Sequence, residues 1–134
     1  MIVADERVAR FVSERSGAAF CPPFTAMGIE RDGEIVAGAL FNQFEGPNVH
    51  VTIAGTGWTA GFVRAVGQYV FEQLGCLRMT VTTEQEKVAG YALRLGGEVE
   101  GRMQDYYGEG RDAILVGILR ARWPYARLSA EPRR

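Results

Sequence analysis

The sequence predicts an α+β domain in which a twisted, mixed, mostly antiparallel sheet of about six strands is flanked by helices. Three observations carry that reading. Short runs alternate apolar and polar residues with period two, three longer runs have helical spacing, and glycine or Asp-Gly turns separate them. The resulting order is α-ββ-β-α-β-α-β-β. At 134 residues, 47% hydrophobic and 23% charged, the chain has the size and composition of one domain able to bury a core without disulfides or a metal.

Residues 4–16 place Val8, Phe11 and Val12 at i, i+3, i+4 between charges, the stripe of a short amphipathic helix that stops near Gly17. Cys21-Pro22-Pro23 cannot continue it. Residues 25–30 read as a strand that turns at Arg31-Asp32-Gly33-Glu34 into a partner over Ile35 to Phe44. Ala37, Gly38 and Ala39 mark that partner as covered on both faces. After the turn Glu45-Gly46-Pro47-Asn48, the stretch Asn48 to Ala54 alternates. Val49, Val51 and Ile53 take one face, His50 and Thr52 the other.

That strand runs directly into Gly55-Thr56-Gly57, and from Trp58 or Thr59 to Leu74 the spacing is helical, with Gly75 as the stop. Leu77 to Thr83 is rich in β-branched residues, and a right-handed crossover makes it a parallel neighbour of the preceding strand. Glu84 to Leu95 is a further helix ending at Gly96-Gly97. Glu98 to Gln104 and Ala113 to Leu119 close the sheet as strands, separated by a loop over Tyr106 to Asp112. The domain is expected to occupy residues 1–123, its first 24 forming the N-terminal helix and a Pro-rich connection. An Arg-rich tail spans 124–134.

A formal charge of −1 argues against a polyanion binder that works through overall charge. The arginines Arg122, Arg127, Arg133 and Arg134 keep nucleic acid open as a partner, although a solvated end is the favoured reading. Cys21 and Cys76 have no CxxC partner and His50 is the one histidine, so no zinc site or disulfide framework is expected. The start Met1-Ile-Val-Ala-Asp-Glu-Arg lacks a signal-peptide pattern, and no apolar run approaches the roughly 20 residues of a membrane span. A cytoplasmic protein with no membrane partner is expected.

A glycine turn between a strand and a helix aims backbone N–H groups and the positive helix end at one point, which suits a phosphate. The same three residues also serve as a plain connection. They form neither a Walker loop nor a full dinucleotide fingerprint. His50, with an ordinary pKa of about 6.5, is a candidate general base or a hydrogen-bonded structural residue. Glu84 is the competing base or a helix-start acid. Trp58 either stacks on a ligand or seats the helix; Tyr106 and Tyr107 are an acid or substrate wall, or surface packing.

In this order the stretches resemble the GNAT superfamily, the Gcn5-related N-acetyltransferases, in its short phage-type versions. The resemblance covers residues 25–123. It rests on strand Asn48 to Ala54, the turn Gly55 to Gly61, the helix to Gly75 and strand Leu77 to Thr83. It also rests on Arg94-Leu95-Gly96-Gly97-Glu98-Val99-Glu100-Gly101 and Asp112-Ala113-Ile114-Leu115-Val116-Gly117-Ile118-Leu119-Arg120. The resemblance implies a three-layer α/β GNAT-like fold, splayed between the family's fourth and fifth strands, with acetyl-CoA as co-substrate in the cleft. The reaction implied is acetyl transfer to an amine acceptor whose identity the chain does not reveal, and many members are dimers.

Carried onto this chain, the backbone of Val51, Ile53 and Ala54 pairs with pantetheine. Gly55, Thr56, Gly57, Trp58, Thr59, Ala60 and Gly61 hold the pyrophosphate, although the leading Arg or Gln of the family's loop is missing. Gln85 stands for the asparagine after the fifth strand, and the acid tyrosine falls on Ala92 with Tyr91 beside it. His50, Glu84 and Tyr91 are therefore the candidate catalytic residues, and no metal is implied. Two alternatives stand beside the transferase: a phage-type protein that modifies nucleic-acid bases, and a non-catalytic module that binds CoA or a partner.

Overall fold

In the computed structural model, which describes residues 1–125, a strand too short for any periodicity comes first: Ile2–Val3, β1, lies at one edge of the sheet. Helix α1 (Glu6–Ser16) follows. The Asp5 carboxylate accepts the Arg7 N–H at 2.9 Å at its start, and Gly17 closes it at φ 78°. Strands β2 (Phe24–Arg31) and β3 (Glu34–Asn42) form the expected hairpin, with Asp32 and Gly33 both at positive φ as the tight turn requires. β3 ends two residues earlier than the pattern indicated. Gln43 takes φ 52° and bends the chain out of the ladder.

Strand β4 (Asn48–Gly55) leads through the glycine turn into α2 (Ala60–Gly67). The pattern indicated one α-helix to Leu74. Instead Gln68–Gln73 wind as a π-helix, with Leu74 N–H on Tyr69 O at 2.8 Å, and this wider turn buries Val70 and Phe71 together. After β5 (Arg78–Thr83), helix α3 (Glu86–Arg94) begins two residues late. Thr83 Oγ1 accepts the Gln85 N–H at 3.0 Å and keeps Gln85 extended.

The expected loop over Tyr106 to Asp112 is mostly strand: β6 (Glu98–Gly108) and β7 (Arg111–Leu119) leave only Glu109 and Gly110 between them. The excess length of β6 is taken up between Met103 and Gly108, where Asp105 sits at φ 56° and its carboxylate accepts the Gly110 N–H at 2.8 Å.

Among the described residues the sheet has seven strands rather than about six, in the order β1-β2-β3-β4-β5-β7-β6. Among the described strands only β4 and β5 pair in parallel, as the crossover through α2 dictates. One face carries α2 and α3, where Val49, Val51, Met79, Val81 and Val116 meet Phe62, Val66 and Val70. The other carries α1, whose Val8 and Val12 pack on Leu40 and Ala54. A side chain at Gly28 or Gly38 would strike Val8, so the glycines let α1 approach the sheet. A 3₁₀ turn at Arg120–Arg122 then swings Trp123, 6% exposed, against Gly67, where a Cβ would overlap the indole. No helix among the described residues is long and apolar enough to cross a membrane. Arg127, Arg133 and Arg134 lie outside the described residues.

Candidate functional site

β4 and β5 are paired from Asn48 and Arg78 up to Thr52 and Thr82 and no further. Beyond that point Gly55, Ala54 and Ile53 remain paired with β3, and Thr83 with β7. The sheet therefore forks. A cavity of about 460 Å³ opens at the fork between α2 and α3, with an apolar wall built from Ile53, Phe62, Val66, Val81 and Trp123. This is the size and character of a small-ligand site.

The glycine turn forms its mouth. Gly55 and Gly57 have φ 96° and 80°, which side-chain-bearing residues rarely adopt. At Gly55 a Cβ would also run into Val36 O and Ala37 Cα. Thr59 caps α2, its Oγ1 accepting the Phe62 N–H at 3.1 Å and its backbone oxygen the Val63 N–H at 3.0 Å. The N–H groups of Ala60 and Gly61 are left at the helix start, where the positive end of the dipole lies.

A cation reaches this mouth from elsewhere in the chain. Arg31, at the end of β2, donates from Nη2 to Gly57 O at 3.2 Å and pairs with no carboxylate among the described residues. It stands at the loop that lacks its own Arg or Gln. Lys87 and Arg94 of α3 also line the cavity. Arg31 was invisible to sequence reasoning because the contact spans 26 positions and depends on the β2–β3–β4 register. The Asp-Gly turn beside it was the one local signal.

Of the residues singled out from the sequence, Ile53, Gly55, Thr56, Gly57, Trp58, Gln85 and Tyr91 line the cavity. Thr59, Ala60 and Gly61 form the helix start at its mouth. Val51 is buried in the core with its side chain under α2, and Ala54 faces α1. Trp58 is half-buried with its ring 5.4 Å from that of Phe62. Tyr91 and Ala92 both reach the cavity despite their one-residue offset, because it wraps two sides of α3 from Lys87 to Leu95.

His50 and Glu84 lie apart from this cavity. Alternation puts His50 on the opposite side of β4 from Val49 and Val51, where its Nε2 is 3.1 Å from Oγ1 of the buried Thr82. Burial pushes the His50 pKa below its ordinary value, favouring the neutral ring. Glu84 is held by Arg111, which donates from Nε to Oε2 at 3.0 Å and from Nη2 to Oε1. Those bonds hold the carboxyl below the usual range. Arg111 also donates to Tyr107 O at 3.1 Å and Ser16 O at 3.4 Å, tying β7 to the end of α1. Burial pushes the Tyr107 phenol up. Tyr106 stands edge-on to Tyr107 with centroids 4.9 Å apart.

Chemically, the fork offers a glycine mouth for an anionic group, a strand edge free to pair with amides, and a neutral imidazole on the far side of the sheet. Among the described residues, no three His, Cys, Asp or Glu side chains gather where a metal ion could sit.

No protein-family model matches the chain, and no curated protein matches it in sequence. Solved structures do. A mutant form of the spermidine/spermine N-acetyltransferase SpeG from Vibrio cholerae has a TM-score of 0.71 at 12% identity, covering 98% of this chain and 99% of that one. A dodecameric structure of spermidine N-acetyltransferase from the same organism gives 0.67 at 12% identity, over 98% and 96% of the two chains. A protein described as a probable acetyltransferase gives 0.60 at 18% identity, over 75% and 63%. These likenesses establish the fold, that of the GNAT acetyltransferases.

Proposed function

We propose that this chain, built on the GNAT fold, is an acyl-CoA-dependent N-acyltransferase that moves an acetyl group from acetyl-CoA to an amine. The fork carries the reading: β4 loses β5 over residues 53–55 beside an apolar cavity whose mouth is a glycine loop, a helix start and Arg31. A pantetheine arm needs a strand edge for its amides and apolar walls for its chain; a diphosphate needs N–H groups and cations. This site offers both kinds of group.

When bound, acetyl-CoA supplies the thioester whose carbonyl carbon an amine nitrogen attacks, the C–N bond forming as the C–S bond breaks. An amine that approached from the opposite face of the sheet, where β4 and β5 part beyond Thr52 and Thr82, would meet His50 as the base that takes its proton. In the tautomer whose Nε2–H donates to Thr82 Oγ1, the other ring nitrogen carries the free lone pair, and burial favours the neutral ring. Glu84 is engaged by Arg111 and takes no part in this proton transfer. Tyr91, on the cavity wall, is the proton donor to the departing sulfur. Gly55 to Gly61 would hold the co-substrate's phosphates, with Arg31 at the loop and Lys87 on the α3 side of the cavity.

The test is amine-dependent release of thiol from acetyl-CoA across a panel of primary amines. The wild type should release it, and His50→Gln should lose about 100-fold or more in turnover while binding CoA unchanged. If acetyl-CoA binds but no amine draws thiol release, transfer is refuted and the chain is a binding module.

A further inference from the structure

A second cavity, of about 840 Å³, lies where β3 hands over to β4, beneath the connection between α1 and β2. It shares no residue with the cleft at the fork. β4 contributes Val49 to one and Ile53 to the other, placing them about 13 Å apart along the strand.

Its wall is aromatic: Phe20, Phe24, Phe41, Phe44 and Tyr69 all line it. Phe41 and Tyr69 meet edge to face at 4.8 Å, and a 2.7 Å hydrogen bond between Tyr69 and Thr25 hydroxyls fixes the Tyr69 ring. Phe44 remains 53% exposed at the rim. The turn that presents Phe44 and Glu45 is set by Gln43 at φ 52°, a conformation uncommon for a non-glycine residue.

Two polar features break the aromatic lining. Glu45 is the one acidic or basic residue in its lining. Asn42 has a buried Oδ1 with no hydrogen-bond partner, an unmet acceptor that costs free energy until a donor arrives. Ring faces carry negative charge density and attract a cation. Aromatic walls, one carboxylate and one unsatisfied acceptor thus complement a ligand that is cationic, rich in N–H donors and carried on an apolar body.

We propose that this second cavity is a binding site for a small organic ammonium of the arylalkyl or alkyl class, separate from the transfer cleft. The inference does not depend on the activity proposed above.

The test uses phenethylammonium and its neutral counterpart 2-phenylethanol, titrated calorimetrically into the full chain with and without saturating CoA. The expected result is one ammonium bound per chain, at least about tenfold tighter than the alcohol, and unaffected by CoA. Glu45→Gln, at an exposed position, should weaken ammonium binding by about tenfold with no change for the alcohol. Asn42→Leu should weaken it as well. Equal affinity for the two probes, no effect of Glu45→Gln, or displacement by CoA would each overturn the assignment.

Discussion

Arg31→Gln isolates the contribution of the one cation that the β2–β3 hairpin brings to the glycine mouth. In the folded chain a single guanidinium N–H is used on Gly57 O, leaving four of its five donors free. A unit charge about 5 Å from a phosphate oxygen is worth roughly 0.8 kcal/mol at the dielectric of water and about 3 kcal/mol at a surface value of 20. Arg31 is exposed, so the lower half of that range applies, about 1–2 kcal/mol. CoA should therefore bind about 5- to 30-fold more weakly to the variant. Calorimetry with CoA and with S-acetylpantetheine, which lacks the phosphates, separates charge from shape. The variant should lose affinity for the first and not the second, with a shallower salt dependence. Equal affinity of wild type and variant for CoA, or an equal loss for both ligands, would refute the assignment of Arg31 to the phosphates.

His50 gives a pH signature. Its pKa is lowered by burial, so the unfolded chain takes up the proton first; stability is greatest above about 6.5 and falls as pH drops through the folded value. Melting curves from pH 7.5 to 5 should show that decline in wild type and a smaller one in His50→Gln. Turnover in the wild type should fall over the same acid limb, measured by thiol release at saturating amine. Thr59→Ala removes the α2 cap and should cost about 1 kcal/mol in urea unfolding. Gly67→Ala sets a methyl into the Trp123 indole. It should cost about 1–3 kcal/mol and red-shift tryptophan emission as Trp123 leaves the cavity wall.

Legibility in the sequence followed the range of each interaction. The order of elements and the parallel pairing of β4 with β5 could be read because long periodic runs and a glycine-linked crossover are local features. Ile2–Val3 is too short to show a period. Tyr106 to Asp112 looked like a loop because Gly108 and Gly110 are turn residues. The strand there is held instead by the Asp105 and Asp112 carboxylates, which accept backbone N–H groups of Gly110 and Asp105. The π-helical segment depends on which side chains the sheet buries, a tertiary demand with no local mark.

The same division runs through the site. Gly55 to Trp58 are one contiguous run and were readable. So was the face of His50, which alternation alone assigns. Its contact with Thr82 was not, since it needs the parallel register that sets Thr52 opposite Thr82. Arg31, Lys87, Arg94 and Trp123 reach the cleft from the end of β2, from α3 and from the turn after β7. The pairing of Glu84 with Arg111 likewise joins positions 27 apart.

The central claim is that the fork between β4 and β5 holds an acyl-CoA. A calorimetric titration of acetyl-CoA into the wild type and into Ala92→Trp, whose indole would fill the cavity wall beside Tyr91, tests it most directly. The account predicts saturable one-to-one binding by the wild type, with native-state stabilisation of about 2.7 kcal/mol at a hundredfold excess over Kd, and none by the folded variant. Absence of binding by the wild type at millimolar acetyl-CoA, or undiminished binding by Ala92→Trp, would contradict it.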